Sequence, residues 1–317
     1  MLPDLKELLV DPLSGSRFKN ESSDGKHVIF CNGQHYPLID GIPIIIDSSQ
    51  SLFCADDIAK KRPLTQDMAY RNRRSVKNFI RQRAIPSLTK DFRQISRYSE
   101  LARKAQGRRI LIIGAGDKIP FYKDIFRSSQ VITSDVHLQF EPDIVIDAHQ
   151  IPFGQNTFEL ILLAQVLEHT LQPWIVAKEL ERTVAAGGYI HVEVPANFPF
   201  HGAPYDFFRY TFTGLRSLFA QCKVDAFEVT EGNAATVAVM SGQFLVELCS
   251  NRYARMVALL AGRFMFGWLK YLDFLFPRTR IGRGTIMPKG IAVTFQKDGV
   301  VRSKPDLLQE FYALKSV

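Results

Sequence analysis

Residues Ile110 to Lys118 read ILIIGAGDK, four aliphatic side chains in a row followed by Gly114, Ala115 and Gly116. An aliphatic run without polar alternation describes a strand buried on both faces. Glycines directly after such a strand are needed where the backbone turns tightly and lets a nucleotide or similar cofactor approach without interference from a Cβ. Asp135 stands nineteen residues after Gly116, directly behind the strand-like Val131 to Ser134. A carboxylate at that strand tip can accept hydrogen bonds from ribose hydroxyls. A dinucleotide fingerprint would place a third glycine at position 119, where this chain has Ile119, which argues against a pyrophosphate and leaves S-adenosylmethionine as the second cofactor class that fits.

Outward from this turn, strand-like and helix-like runs alternate. Candidate strands are Ile110 to Ile113, Val131 to Ser134, Ile144 to Ile146, Leu160 to Leu163, Tyr189 to Val194, Ala226 to Val229 and Ile291 to Phe295. Apolar strands spaced by helical lengths predict an α/β fold, a mostly parallel Rossmann-like sheet with helices on both faces. Residues 1–50 have a different texture, with short strand-like runs (His27 to Cys31, Ile42 to Ile46) broken by Ser, Gly, Asn and Pro, and predict a small β-rich module. Between them, residues 51–105 read as a basic helical linker, with helix-compatible stretches from Met68 to Arg83 and Leu88 to Lys104 and breakers at Pro63 and Pro86. The main α/β domain is expected over 106–317.

The 317 residues are 46% apolar and 23% charged, which excludes collagen-like, low-complexity and disordered chains. Four cysteines, at 31, 54, 222 and 249, are too few and too scattered for a disulfide framework. The opening MLPDLKELLVDPL has acids where a signal peptide carries basic residues, so the expected location is cytoplasmic. The net charge of +8 is concentrated: 16 of the 40 Lys and Arg but only 5 of the 32 Asp and Glu lie between Ala55 and Arg109. The rest of the chain is slightly acidic. Nucleic-acid binding is disfavoured, since aromatic residues are not interleaved with the basic ones as stacking platforms require.

An insertion at about 240–280 is rich in large apolar residues, yet Arg255, Arg263, Lys270 and Asp273 interrupt any span long enough for a bilayer. On one continuous helix these charges and Arg252 fall on a narrow stripe at about 100° per residue. The wide apolar remainder calls for a cover. A helical lid packed on its own domain, a dimer interface, and peripheral membrane contact through 252–276 with the cationic side chains at the headgroups and Trp268 inward are the three readings of it.

The stretch from Ile110 to Phe219 resembles class I S-adenosylmethionine-dependent methyltransferases of the methyltransferase type 11 group, which includes the quinone-biosynthesis C-methyltransferases. The matching text is IGAG (Ile113 to Gly116), Asp135, DAHQIPF (Asp147 to Phe153), TFELILLAQVLEHT (Thr157 to Thr170), KELERTVAAGGYIHVEVP (Lys178 to Pro195) and HGAPYDFFRYT (His201 to Thr211), in family order. The resemblance implies that Gly114 and Gly116 pass under the cofactor's methionine and ribose. It further implies that Asp135 binds the ribose hydroxyls, that Asp147 and Ala148 hold the adenine edge, and that Gln165 sits beside the sulfonium. Two positions depart from the family pattern: Ile112 stands where an acid is usual, and Lys118 where a third glycine is frequent. His169, His201 and Asp206 are the candidate catalytic residues, because an acceptor hydroxyl or amine must lose a proton and imidazole titrates near neutrality.

LLVDPLSG together with CNGQHYPLIDGIPIII (Cys31 to Ile46) resembles the small zinc-binding Trm112-like module that accompanies methyltransferases. The paired cysteines of the metal-bearing form are replaced by Asp11 with Ser14 and by Ile29 with Asn32, so no metal is expected. Cys31 is expected to be buried as a small apolar residue. These readings converge on a methyltransferase acting on a small-molecule or lipid/glycan-linked acceptor, cytoplasmic or peripheral to the inner membrane face. An RNA-directed methyltransferase and a non-catalytic methyltransferase-fold scaffold are the alternatives, and the oligomeric state is left open.

Overall fold

The computed structural model describes residues 1, 3–60 and 87–315. At its centre β5 (Arg109–Ile113) lies between two parallel neighbours, β6 (Gln130–Asp135) and β8 (Phe158–Ala164). This placement explains its unbroken aliphatic text. Ile110 and Ile112 face one layer, with Tyr98, Tyr122 and Phe126 from α3 (Gln94–Lys104) and α4 (Ile119–Ile125) and its flank. Leu111 and Ile113 face the other, with Val176 and Leu180 of α5 (Pro173–Thr183) and Leu215 of α6 (Phe212–Arg216). Period-two alternation thus survives, but both faces are apolar because both are covered.

Beyond β6 comes β7 (Ile144–Ile146); beyond β8 come β9 (Val184–Pro195), β11 (Gly290–Lys297) and β10 (Cys222–Glu231). The order β7-β6-β5-β8-β9-β11-β10 is parallel up to β9 and antiparallel for the last two pairs. Every strand expected from the sequence forms. Of the two helix-compatible linker stretches, Leu88 to Lys104 becomes helical only from Gln94, and Met68 to Arg83 lies outside the described residues.

The first fifty residues continue this sheet. β1 (Phe18–Glu21), β2 (His27–Phe30), β3 (His35–Ile39) and β4 (Ile42–Ile45) form an antiparallel meander, and β4 then pairs in parallel with β7 through Ile44 and Val145 and through Ile45 and Ile146. The described residues therefore build one eleven-stranded sheet. Leu5, Leu9, Val28 and Phe30 share a core with Ile146 and Phe153, while α2 (Ala55–Ala59) covers Ile44, Ile46 and Val145 from the opposite side. At the outer end, buried Asp11 accepts hydrogen bonds from Ser14 Oγ (2.6 Å), Asn32 Nδ2 (2.9 Å) and Tyr36 Oη (2.8 Å). Three of the four positions expected to replace zinc cysteines thus meet in a hydrogen-bonded knot. Cys31, expected inside, is exposed: it sits at the turn between β2 and β3, one position past the last inward residue, Phe30.

A second polar cluster fastens α3 to the sheet. Arg97 bonds Glu193 (2.6 Å), Glu228 (3.0 Å) and Asp91. Burial alone would raise the Glu193 carboxyl, but the hydrogen bond from His191 and the Arg97 charge override it and hold it at about 2.

The insertion is a helical hairpin, not one helix. α7 (Asn233–Glu247) and α8 (Arg252–Phe266) pack antiparallel, with Gly262 against Gly242, and a 3-10 segment follows at Leu269–Leu275. The helix stops at Gly267, so the charges distribute differently from a continuous stripe. Buried Asp273 accepts from the backbone N–H groups of Gly232, Ala234 and Ala235, neutralising the open N-terminus of α7. Lys270 turns inward to donate to Ser87 O (2.7 Å). Lys270 and Asp273 are buried, Arg252 and Arg255 stay exposed, and Tyr253, Phe264, Trp268 and Phe274 are each more than half exposed. No helix among the described residues is long and apolar enough to cross a membrane.

Two stability outcomes follow from these clusters. Asp11→Ala leaves four donor groups, the Ser14 backbone N–H among them, without their acceptor and lowers unfolding free energy by about 2 kcal/mol in denaturant titrations. Glu193, with its folded-state pKa below the unfolded one, stabilises above a pH of about 4.3 and loses that contribution as pH falls toward 2. Thermal melts of Glu193→Gln are accordingly lower at neutral pH and flatter over that acid window.

Candidate active site

The strand order reverses between β5 and β8, and ligands of open α/β sheets bind where such neighbours part, beyond their carboxyl ends. Here the loop leaving β5 carries Gly114 (φ 68°) and Gly116 (φ 53°), both in the left-handed region. A Cβ at Gly114 would lie 2.3 Å from Cγ2 of Val166, the second residue after β8. The two loops touch backbone to side chain, so this glycine is required by packing. At Gly116 a Cβ would meet nothing within 4 Å: the loop is open on that side, as a cradle for a ligand must be.

Asp135, buried at the end of β6, accepts from Gly116 N–H (2.9 Å, Oδ2) and Val136 N–H (2.7 Å, Oδ1). A carboxylate offers about four lone-pair directions, so acceptor capacity remains beside these two donors, with His137 Nε2 3.5 Å from Oδ1. Asp147 follows β7, with Ala148 buried beside it. Its Oδ1 accepts from the backbone and ring of His149 (ring 2.6 Å), and its Oδ2 accepts from Ser51 Oγ (2.5 Å). Burial pushes this carboxyl up, but these donors win and hold it below the usual carboxylate range. The Ser51 contact ties the N-terminal segment to the site, and two residues on, the Phe53 ring packs on Tyr205 at 5.4 Å. Gln165, exposed at the end of β8, has φ 59°, an uncommon conformation for a residue with a Cβ and one that concentrates at functional sites.

On the far side of the β8 loop, His169, His201 and Asp206 come together as the sequence implies. The two imidazole rings are 4.9 Å apart and nearly perpendicular. His201 N–H donates to Asp206 (2.7 Å), which also takes both Nη atoms of Arg209. Burial would raise Asp206, yet the Arg209 fork brings it down to about 2. Desolvation lowers both imidazoles, so they are neutral at pH 7. Close to both stands Glu168, fully buried, with neither carboxylate oxygen hydrogen-bonded among the described residues. Desolvation pushes it up to about 8.

Glu168, Ser51 and His149 are additions that the sequence reading lacked. An acid inside LEHT carries a faint signal, as a charge in an otherwise apolar stretch. Nothing local marks Ser51, whose role depends on a chain crossing of 96 residues.

The topology and this glycine-and-carboxylate site define the class I methyltransferase fold. Residues 100–192 match the family model described as "Methyltransferase domain". Among solved structures the chain is similar to a putative methyltransferase of Bacillus halodurans (12% identity, 64% of this chain and 98% of that one, TM-score 0.41). It is also similar to a complex between the Haloferax volcanii Trm112 methyltransferase activator and a putative methyltransferase (12%, 67% and 92%, TM-score 0.41). A third likeness is to a SAM-dependent methyltransferase of Archaeoglobus fulgidus (17%, 70% and 99%, TM-score 0.40). No curated protein matches the sequence.

The two glycines separate under mutation. Gly114→Ala, which combines a clash with a positive φ, costs roughly 3 kcal/mol of stability. Gly116→Ala, strained but unobstructed, costs about 1 to 2 kcal/mol. Chemical denaturation of both variants checks the order.

Proposed function

We propose that the protein transfers a methyl group from S-adenosylmethionine to an acceptor bound beside His169 and His201. The observation that carries this reading is the open loop at Gly116 next to a carboxylate with free lone pairs, at the point where β5 and β8 part. When bound, the cofactor supplies an electrophilic methyl on a sulfonium. A sulfonium cofactor has no phosphates, which suits a site without a Lys or Arg clamp. Asp135 holds the ribose hydroxyls, Gly116 allows contact, and the Asp147 and Ala148 corner takes the adenine edge. Ser51 and Phe53 close the site from the N-terminal side, and such closure excludes water and orients the partners for an in-line displacement. The ring bond from His169 Nδ1 to Tyr205 O (2.5 Å) leaves Nε2 facing the acceptor.

The acceptor we favour is small and apolar or lipid-linked. The outward apolar face of the α7–α8 hairpin supports this, with exposed Arg252, Arg255, Arg280 and Arg283 at its margins. Between Asn233 and Met287 there are seven Lys or Arg against Glu247 and Asp273. Cationic margins around an apolar face complement an anionic bilayer. The Asp11 knot supports reading residues 1–50 as a Trm112-like module whose metal is replaced by hydrogen bonds.

Calorimetric titration tests the cofactor. Wild type binds S-adenosylmethionine, and Asp135→Ala binds it at least about tenfold more weakly; no heat at millimolar ligand refutes the reading. For the acceptor side, the protein co-sediments with phosphatidylglycerol vesicles and Trp268→Ala weakens the association. Failure to co-sediment at low salt removes the lipid-linked version.

A further inference from the structure

We propose that Glu168, His169 and His201 form a binding site for a divalent transition-metal ion, and that this ion carries the acceptor oxygen. One potential ligand atom from each residue lies within 4.8 Å of the other two. Metal bonds to oxygen and nitrogen of about 2.0–2.2 Å require these atoms to draw together by about an ångström, a movement within reach of side-chain torsions.

Two independent features point to a cation there. Glu168 is fully buried with both oxygens lacking a hydrogen-bond partner among the described residues, and the neighbouring Arg209 guanidinium is committed to Asp206. A buried carboxyl left in this way is costly unless something binds it. The histidines, in turn, are oriented as metal-bound imidazoles are, through the ring nitrogen that does not bind. His169 Nδ1 faces the Tyr205 carbonyl at 2.5 Å, while His201 Nδ1 faces the Pro199 carbonyl at 3.2 Å and Asp206 Oδ2 at 3.3 Å. This leaves Nε2 of His169 as an acceptor, while His201 Nδ1 also lies 3.3 Å from the donor Nη2 of Arg209, so either ring nitrogen of His201 can offer its lone pair. Arg209 completes the outer layer by clamping Asp206. Two imidazoles and one carboxylate suit zinc-class or ferrous-class ions and leave coordination positions open.

The inference rests on the methyl-transfer reading for its chemistry. An acceptor hydroxyl binds the ion through oxygen and releases its proton to water. The oxygen lone pair then forms the O–CH3 bond as the S–CH3 bond breaks, and the sulfonium takes the electron pair to become a neutral thioether. The ion changes no oxidation state and acts as a Lewis acid. This makes an oxygen nucleophile, such as a phenol or enediol hydroxyl, the substrate class.

Metal binding can be read without activity. Purified full-length protein, stripped with chelator, is titrated with Co2+ and followed by its visible ligand-field absorption, with Zn2+ competition and metal analysis after dialysis. We expect about one equivalent bound, with affinity reduced roughly 100-fold or more in Glu168→Gln and in His201→Asn. Asp135→Ala should bind the ion as wild type does. Thermal melts establish that the variants fold, and His201, being half-exposed, provides a variant that leaves the core intact. Wild type that binds S-adenosylmethionine but takes up neither ion at micromolar concentration overturns the metal site alone. Equal uptake by wild type and both ligand variants also overturns it. Stoichiometric metal without cofactor binding leaves the site standing and removes the methyl-transfer reading.

Discussion

Val166 fills the space that a Cβ at position 114 would need, and the geometry of the site depends on that contact. It brings the loop after β5 against the loop after β8 at the place where the sheet's connections run apart. On one side of the junction lies the open backbone of Gly116 with Asp135. On the other lies the cluster of Glu168 and His169, two and three residues after Val166, with His201 brought in from the loop after β9. The glycine-and-carboxylate loop and the histidine cluster therefore meet at one junction, and an in-line transfer requires the two reacting atoms to come into near contact there.

The site is not the property of the matched methyltransferase segment alone. Parallel pairing of β4 with β7 carries the first fifty residues onto the edge of the sheet, and the chain that leaves β4 then passes over the strand ends. Ser51 reaches Asp147 and Phe53 reaches Tyr205, one contact beside the loop after β7 and one beside the histidine cluster. Removing the N-terminal residues would expose Ile44's partner Val145 and also unroof the pocket.

How much of this could be read in the sequence follows physical lines. Strands buried on both faces announce themselves, and Ile144–Ile146 is found to the residue. The glycines and Asp135 were legible because backbone conformation and hydrogen bonding dictate residue type at fixed spacing. Pairings between distant segments were not: IPIII says that it is a strand, but nothing in it says that its partner is Val145. Glu168 was missed because a single acid between Leu167 and His169 reads as an ordinary helix-start residue. Only burial in three dimensions makes it exceptional.

The insertion teaches a related lesson. Amphipathic periodicity assumed one continuous helix, but the helix ends at Gly267, and of the five charges only Asp273, which caps α7, and Lys270, which ties down the Ser87 loop, are buried, while Arg252 and Arg255 stay exposed. Large apolar side chains such as Tyr253, Phe264, Trp268 and Phe274 are left outward, and periodicity along a single helix could not show the break that reorients the charges beyond it. The central claim remains that the β5–β8 junction binds a sulfonium nucleoside cofactor. Hydrogen-exchange mass spectrometry with and without S-adenosylhomocysteine tests it most directly. The account predicts slowed exchange at 114–118, 135–137 and 147–149; no protection at those segments under saturating ligand, or protection confined to other parts of the chain, would contradict it.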